Sequence, residues 1–184
     1  MTAELDEDAL VPLRVTVNGR AQALACGGGE TLLTLLRERL GLTGAKRGCN
    51  QGLCGACTVL LDGQPVRACL TVAATCADRR VETAEGLLRG ARLSPVQQAL
   101  VDGGAVQCGF CTPGMTMALT ALLRAEPRPD AARVREALSG HLCRCTGYVK
   151  IVEAALAAAE AQAQKGADGA AAGDADARAE GAAP

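Results

Sequence analysis

The stretch GCNQGLCGAC, residues 48–57, decides the fold, because it places three cysteines in one glycine-rich loop. A fourth cysteine, Cys69, follows Cys57 after eleven intervening residues. Outward from this loop, a second set of four cysteines has the different spacing Cys-x2-Cys-x31-Cys-x-Cys. Eight of the ten cysteines therefore supply enough ligands for two metal centres: Cys49, Cys54, Cys57 and Cys69 in the first set, and Cys108, Cys111, Cys143 and Cys145 in the second.

The first spacing, Cys-x4-Cys-x2-Cys with a distant fourth cysteine, is typical of plant-type [2Fe–2S] ferredoxins, whose cluster takes four thiolates. Gly48, Gly52 and Gly55 let the loop adopt positive φ and bring backbone N–H groups close to an anionic cluster. A structural zinc ion also needs only four thiolates, but such sites usually combine two Cys-x2-Cys knuckles. The loop therefore indicates an iron–sulfur cluster and predicts an electron carrier.

The spacing of the second set is less specific for one type of metal centre. However, each of its two cysteine pairs comes just before a predicted helix. One pair of cysteines precedes a helix that starts near Pro113, and the other precedes a helix that starts near Gly147. The positive ends of both helix dipoles would favour a negatively charged cluster and its reduced form. The spacing alone leaves open a zinc ion across the helices or two redox-active dithiols.

The composition excludes several classes of function. Among 184 residues, 19 Lys and Arg balance 20 Asp and Glu, so no basic stripe is available to bind phosphates and nucleic acid is not an expected partner. No stretch approaches membrane-spanning length, and the first residues do not resemble a secretory signal. Ten cysteines without export favour metal ligation over disulfides, which predicts a cytoplasmic protein.

The pattern along the chain predicts an α+β protein with two domains. The first half predicts a mixed sheet with one crossing helix, from hairpins at 13–25 and 58–69, a helix at 31–40 and a strand at 80–83. The second half predicts four short, capped helices that close into a bundle. The predicted boundaries are 1–12 for a flexible N-terminus, 13–88 for the first domain, 89–163 for the helical domain and 164–184 for a disordered tail rich in Ala and Gly.

Three segments together resemble the small iron–sulfur subunit of the xanthine oxidase family of molybdenum hydroxylases, a type also seen in carbon monoxide dehydrogenases and 4-hydroxybenzoyl-CoA reductases. They are GLTGAKRGCNQGLCGACTVLLDG (41–63), QCGFCTPGM (107–115) and HLCRCTGYVKI (141–151). The resemblance covers 13–159, and none of the eight ligand positions departs from the pattern. It implies a β-grasp ferredoxin-like domain followed by an all-α four-helix bundle domain, each with one [2Fe–2S] cluster.

The resemblance also implies roles and partners. The first cysteine set would hold the cluster near an FAD, and the second set would hold the cluster near molybdenum. Gln107 and Cys145 would lie against the pterin of the molybdenum cofactor, expected in its dinucleotide form. The implied partners are a large molybdenum-binding subunit and a medium FAD-binding subunit, assembled as a dimer of heterotrimers. This chain would then relay single electrons for a molybdenum-dependent oxidoreductase and carry out no substrate chemistry itself.

Three other interpretations stay open at this point. Electrons could run toward molybdenum, as in a 4-hydroxybenzoyl-CoA reductase, or the chain could be a stand-alone ferredoxin or a zinc-stapled interaction module without redox function. Cys26 and Cys76 match no ligand position and are expected to be small buried hydrophobes. His141, the only histidine, is expected to have a structural or solvent-facing role.

Overall fold

The computed structural model describes the backbone of residues 10–179 and the side chains of residues 10–164. Its strands form one five-stranded mixed sheet in the order β2-β1-β5-β3-β4. Among the strands of residues 10–179, β1 and β5 pair in parallel, and the other three neighbouring pairs are antiparallel. The strands are β1 (Leu10–Val17), β2 (Arg20–Gly27), β3 (Thr58–Leu61), β4 (Gln64–Arg67) and β5 (Arg80–Glu82).

Both predicted hairpins are present, and each turns on two residues with positive φ. Asn18 and Gly19 have φ of 50° and 77°, and Asp62 and Gly63 have φ of 50° and 84°. Positive φ at both central residues is the signature of the type I′ turn, which matches the twist of the flanking strands. β1 begins at Leu10, so it includes part of the N-terminus predicted to be flexible, and residues 1–9 lie outside the described residues.

The predicted crossing helix differs in its geometry from a regular α-helix. Thr31 caps α1 (Leu32–Thr34), and the chain continues as a π-helical segment, Leu35–Arg39. The four leucines at 32, 33, 35 and 36 are fully buried against the sheet. These leucines cover the sheet, and Leu40 packs partly against the same core. The i→i+5 hydrogen bonding could not be predicted from the sequence.

Within the described residues, four α-helices build the second half, and two of them begin close to the predicted starts near Pro113 and Gly147. The helices are α2 (Pro95–Asp102), α3 (Thr112–Ala125), α4 (Ala131–Leu138) and α5 (Val149–Ala179). Ser94 and Gln97 form a capping box on α2, and Asp130 caps α4. α5 continues through most of the segment predicted to be disordered, which is rich in alanine, the best helix former. Residues 180–184 lie outside the described residues.

Each half has its own hydrophobic core. One core joins the sheet to the Leu-rich segment, and the other joins the four helices. Leu60 of β3, Leu87 and Met117 of α3 form a small third cluster between the halves. Because α3 packs on β3, the helical half is held against the sheet near the cysteine loop that precedes β3.

Candidate metal centres

The first cysteine loop wraps its backbone around its own sulfurs. The amides of Gln51 and Cys54 both donate to Cys49 Sγ at 3.4 Å. A Cβ at Gly48 would lie 2.8 Å from Cys54 Sγ, so this position has no room for a side chain. The predicted positive φ is present at Gly52 (77°) and Gly55 (72°), whereas glycine is needed at Gly48 because its backbone lies against a sulfur.

The thiols of the first set have unequal acidities. Hydrogen bonds from the amides of Cys54 and Gln51 lower the pKa of Cys49 to about 6. Burial raises the pKa of Cys57 to about 11, and Cys57 and Cys69 both belong to the sheet core. Cys49 is therefore ready to bind as a thiolate, whereas Cys57 needs a bound cation to release its proton.

The second set is assembled from the starts of two helices. Cys111 occupies the N-cap position of α3, and the other half precedes α5. Thr146 donates its hydroxyl to Cys143 Sγ at 3.1 Å and its amide to the same sulfur at 3.5 Å. The Cys143 amide donates to the Tyr148 hydroxyl at 2.8 Å, and that hydroxyl donates to the His141 carbonyl at 3.1 Å. Tyr148 therefore fixes the loop in addition to contacting the helical core.

The second set shows the same asymmetry of acidity. Burial raises the pKa of Cys111 to about 12, with contact from Cys143 adding to the effect. Burial acts in the same upward direction on Cys143, but the hydrogen bonds from Thr146 outweigh it and lower the pKa to about 7. Contact with the Cys108 thiol raises the pKa of the exposed Cys145. Each set thus has one thiol that ionises readily and one that resists ionisation.

The eight thiols lie in four pairs, two in each set. Within residues 10–164, no three His, Cys, Asp or Glu side chains converge as a single metal ion requires. Instead, Cys145 Sγ lies 3.6 Å from Cys108 Sγ, and in the other three pairs one thiol lies close enough to its neighbour to affect its pKa. The pairs are Cys49 with Cys54, Cys57 with Cys69, Cys108 with Cys145 and Cys111 with Cys143.

A buried polar network joins the two cysteine loops. The Leu142 amide donates to the Cys54 carbonyl at 2.9 Å, and the Thr58 hydroxyl lies 2.9 Å from His141 Nε2. Arg67 donates to the Thr58 hydroxyl and to the Gly140 carbonyl, both at 2.7 Å. Burial, and then the charge of Arg67, lower the pKa of His141 to about 4, so its imidazole is neutral. The structural role expected for His141 is therefore found in a buried contact between the halves.

The structure also shows where the other residues singled out in the sequence lie. Gln107 is exposed beside Cys108, on the surface that carries Cys145. Cys26 and Cys76 are fully buried in the sheet core, and burial raises the pKa of both thiols. Thr146 and Arg67 were missed by the sequence reasoning. Thr146 directly follows Cys145 and could have been noticed as a hydroxyl beside a ligand, but no local signal marks Arg67.

The chain matches two family models, one for each half. A "2Fe-2S iron-sulfur cluster binding domain" matches residues 15–88, and a "[2Fe-2S] binding domain" matches residues 83–156. These matches define a protein with two [2Fe–2S]-binding domains, and the zinc-stapled module is disfavoured.

Relatives that match over most of their own length identify the family more closely. The chain is 53% identical over 146 residues to the nicotine 6-hydroxylase small subunit of Paenarthrobacter nicotinovorans, which covers 79% of this chain and 88% of the relative. It is 46% identical over 155 residues to the xanthine dehydrogenase iron-sulfur-binding subunit of Escherichia coli O157:H7, which covers 83% of this chain and 96% of the relative. The quinoline 2-oxidoreductase structure from Pseudomonas putida 86 superposes with a TM-score of 0.81 at 43% identity, which covers 84% of this chain and 97% of that chain.

The chain therefore belongs to the [2Fe–2S] iron–sulfur subunits of the xanthine oxidase family. The predicted electron-transfer role, as the iron–sulfur subunit of a molybdenum-dependent oxidoreductase, is confirmed. A stand-alone ferredoxin is disfavoured, because relatives matched over most of their length are named as subunits. Along the described helices, none combines the length and hydrophobicity needed to cross a membrane.

Proposed function

We propose that each cysteine set holds one [2Fe–2S] cluster through four thiolates. The first would be bound by Cys49, Cys54, Cys57 and Cys69, and the second by Cys108, Cys111, Cys143 and Cys145. The observation that carries this proposal is the arrangement of the thiols in two pairs per set. A two-iron cluster takes two thiolates on each iron, whereas a zinc ion takes all four on one centre. When bound, each cluster would accept and release a single electron.

The surrounding residues support negative charge on the sulfurs. Backbone amides on Cys49 and the Thr146 hydroxyl on Cys143 stabilise the thiolates that a cluster requires. Cys57 and Cys69 are buried, so water is excluded from one side of the first site. Cys108 and Cys145 are exposed, so the second site has a sulfur pair that faces outward.

The fold of each half fits the two-cluster arrangement. The mixed sheet with its covering helical segment supports a β-grasp ferredoxin-like domain over 13–88, and α2 to α5 support a four-helix domain over 89–163. The tail of the chain adds no cysteine beyond Cys145. All ten cysteines are free thiols, which suits a reducing compartment such as the cytoplasm.

The exposed side chains around the two sites support binding to two partner subunits. Leu53 and Leu70 are 66% and 61% exposed near the first cysteine loop, and Leu142 is 59% exposed near the second. Apolar side chains exposed together mark surfaces that partners cover. We assign the outward sulfur pair, with Gln107, to a large molybdenum subunit, where Gln107 and Cys145 contact the pterin dinucleotide. The first site then faces a medium FAD subunit, within a dimer of heterotrimers.

The substrate of the assembly belongs to the N-heterocycles in this proposal. The relatives compared above are named for nicotine, xanthine and quinoline, all of which are N-heterocycles. In such an assembly, the cysteines of the second set and then those of the first would hold the clusters that carry electrons from a molybdenum site to FAD. A reductase-like complex would use the same residues with the opposite direction of flow.

Low-temperature EPR of the dithionite-reduced chain, with iron and sulfide measured on the same sample, tests the proposal. We expect two distinct [2Fe–2S] signals and about four irons per chain, since each cluster contains two. Bound zinc with no signal would overturn the assignment of both sites. Co-purification with a molybdenum subunit and an FAD subunit, followed by a screen of N-heterocyclic substrates, tests the assembly.

A further inference from the structure

Arg67 connects three separate segments that contain or adjoin predicted ligands. It lies at the end of β4, two residues before Cys69. Its Nε donates to the Gly52 carbonyl at 3.3 Å, inside the first cysteine loop. Its two terminal nitrogens donate to the Thr58 hydroxyl and to the Gly140 carbonyl, both at 2.7 Å. One guanidinium therefore binds the first loop, β3 and the segment that leads into Cys143.

The hydrogen bonds of Thr58 fix which groups donate and which accept in this network. Its hydroxyl donates to the Gly55 carbonyl at 2.7 Å, so its lone pairs accept from Arg67 and from Nε2–H of neutral His141. Thr58 and His141 are 1% and 4% exposed, so little water can replace a lost partner. Removing the guanidinium would take the side-chain donor from the Gly140 carbonyl and would leave the Thr58 hydroxyl with only His141 as a donor.

The first cysteine loop and the Gly140 segment are in close van der Waals contact at Gly55. A Cβ at Gly55 would lie 2.5 Å from the Gly140 carbonyl oxygen and 2.6 Å from His141 Cδ2. Beside this contact, the Leu142 amide donates to the Cys54 carbonyl, which joins residues adjacent to or within both predicted ligand sets. A shift of the Gly140 segment would therefore change the position of Cys143 relative to Cys54.

We propose that Arg67 is a positioning residue that fixes the separation and orientation of the two cysteine loops, and with them electron transfer between the two clusters. This inference rests on the proposed occupancy of both sites. The planar guanidinium suits the role because its donors reach three acceptors in fixed directions, whereas a lysine ammonium has no such fork.

Four variants of the full, cluster-loaded chain separate this role from general stability. Arg67→Gln removes the charge and most of the donors, and Arg67→Lys keeps the charge with fewer directed contacts. Gly140→Ala keeps Arg67 but places a Cβ 2.5 Å from its Nη2, which displaces the guanidinium. Arg124→Gln is the matched control, because Arg124 of α3 pairs with Glu82 of β5 and so also joins the two halves.

Two readouts are made on each variant. The first is the spin–spin splitting between the two reduced clusters in EPR, which depends on their separation and orientation. The second is hydrogen exchange at the Leu142 amide, which reports the contact between the loops without any cluster. We expect Arg67→Gln and Gly140→Ala to change or abolish the splitting and to speed exchange at Leu142. Arg67→Lys should be intermediate, and Arg124→Gln should match the unmodified chain.

The possible outcomes are distinct. Unchanged splitting and unchanged Leu142 exchange in both Arg67→Gln and Gly140→Ala would overturn the inference, as would equal changes in Arg124→Gln. If Arg67→Gln fails to bind iron, Gly140→Ala decides, because it retains the arginine. If the unmodified chain lacks two EPR signals, the proposed cluster occupancy fails, and the positioning of electron transfer fails with it, whatever the exchange at Leu142 shows.

Discussion

The two cysteine sets reach similar pairs of thiols by different routes. Three cysteines of the first set lie in one continuous loop, whose amides donate to the sulfur of Cys49. The last two cysteines of the set, Cys57 and Cys69, lie in the sheet core. The second set is brought together from two helix starts that are far apart in sequence, and two of its cysteines are exposed. The difference indicates that the first site is part of its domain's core, whereas the second site lies at a surface and depends on helix packing.

Serine substitutions at Cys57 and Cys145 should give the largest contrast between the sets. Cys57→Ser removes a predicted ligand and also places a hydroxyl in the sheet core, which costs about 1–3 kcal/mol when the hydroxyl has no partner. Cys145→Ser removes an exposed predicted ligand without changing a core. We expect each variant to lose one EPR signal, and only Cys57→Ser to lower the unfolding temperature strongly. Equal destabilisation by both would contradict the contrast.

Alkylation of the metal-free chain should show that each set has one reactive and one unreactive thiol. The pKa values of about 6 for Cys49 and about 11 for Cys57 make Cys49 mostly thiolate at neutral pH and Cys57 mostly thiol. Because nucleophilicity falls as pKa falls, we expect a rate ratio of roughly 10² rather than the full ratio of thiolate populations.

The same experiment covers the second set. Cys143, with a pKa of about 7, should react before Cys111, with a pKa of about 12. Iodoacetamide labelling followed by peptide mass spectrometry measures all four rates at once, and circular dichroism checks that the metal-free chain is folded. Labelling of Cys57 or Cys111 first would contradict the burial that separates these thiols.

Gly114, at the start of α3, allows this helix to pack against the first cysteine loop. A Cβ at Gly114 would collide with the Gly55 carbonyl oxygen and lie 3.1 Å from Ala56 Cα, so α3 could not approach the first cysteine loop. We expect Gly114→Ala to cost about 1–3 kcal/mol of unfolding free energy, as for other insertions into packed regions. Gly28→Ala is the control, because a Cβ there has no neighbour within 4 Å. Thermal unfolding of both variants measures the difference, and equal stability would show that α3 can move away without cost.

The sequence predicts local features of this molecule far better than contacts between its halves. The Asn18-Gly19 and Asp62-Gly63 turns and the Ser94 cap were predictable, because each depends on residues adjacent in the chain. Both cysteine sets were recognised by spacing and by resemblance. By contrast, the contact of Arg67 with Gly140 joins residues 73 positions apart, and no periodicity or motif encodes it. The helical extension of α5 was missed because low complexity was given more weight than the helix propensity of alanine.

The smallest predicted effect tests whether hydrogen bonds to sulfur tune only the site that they touch. Thr146→Val removes the hydroxyl that donates to Cys143 Sγ at 3.1 Å and leaves the amide of residue 146 in place. Losing one such bond, worth about 1 kcal/mol, should lower the reduction potential of the second cluster by ~40 mV, because the reduced, more negative state loses more stabilisation. Thr146→Ser is the control, since it keeps the hydroxyl. Redox titration followed by EPR resolves the two clusters, and a shift in the first cluster as large as that in the second would show that the two sites respond as one unit.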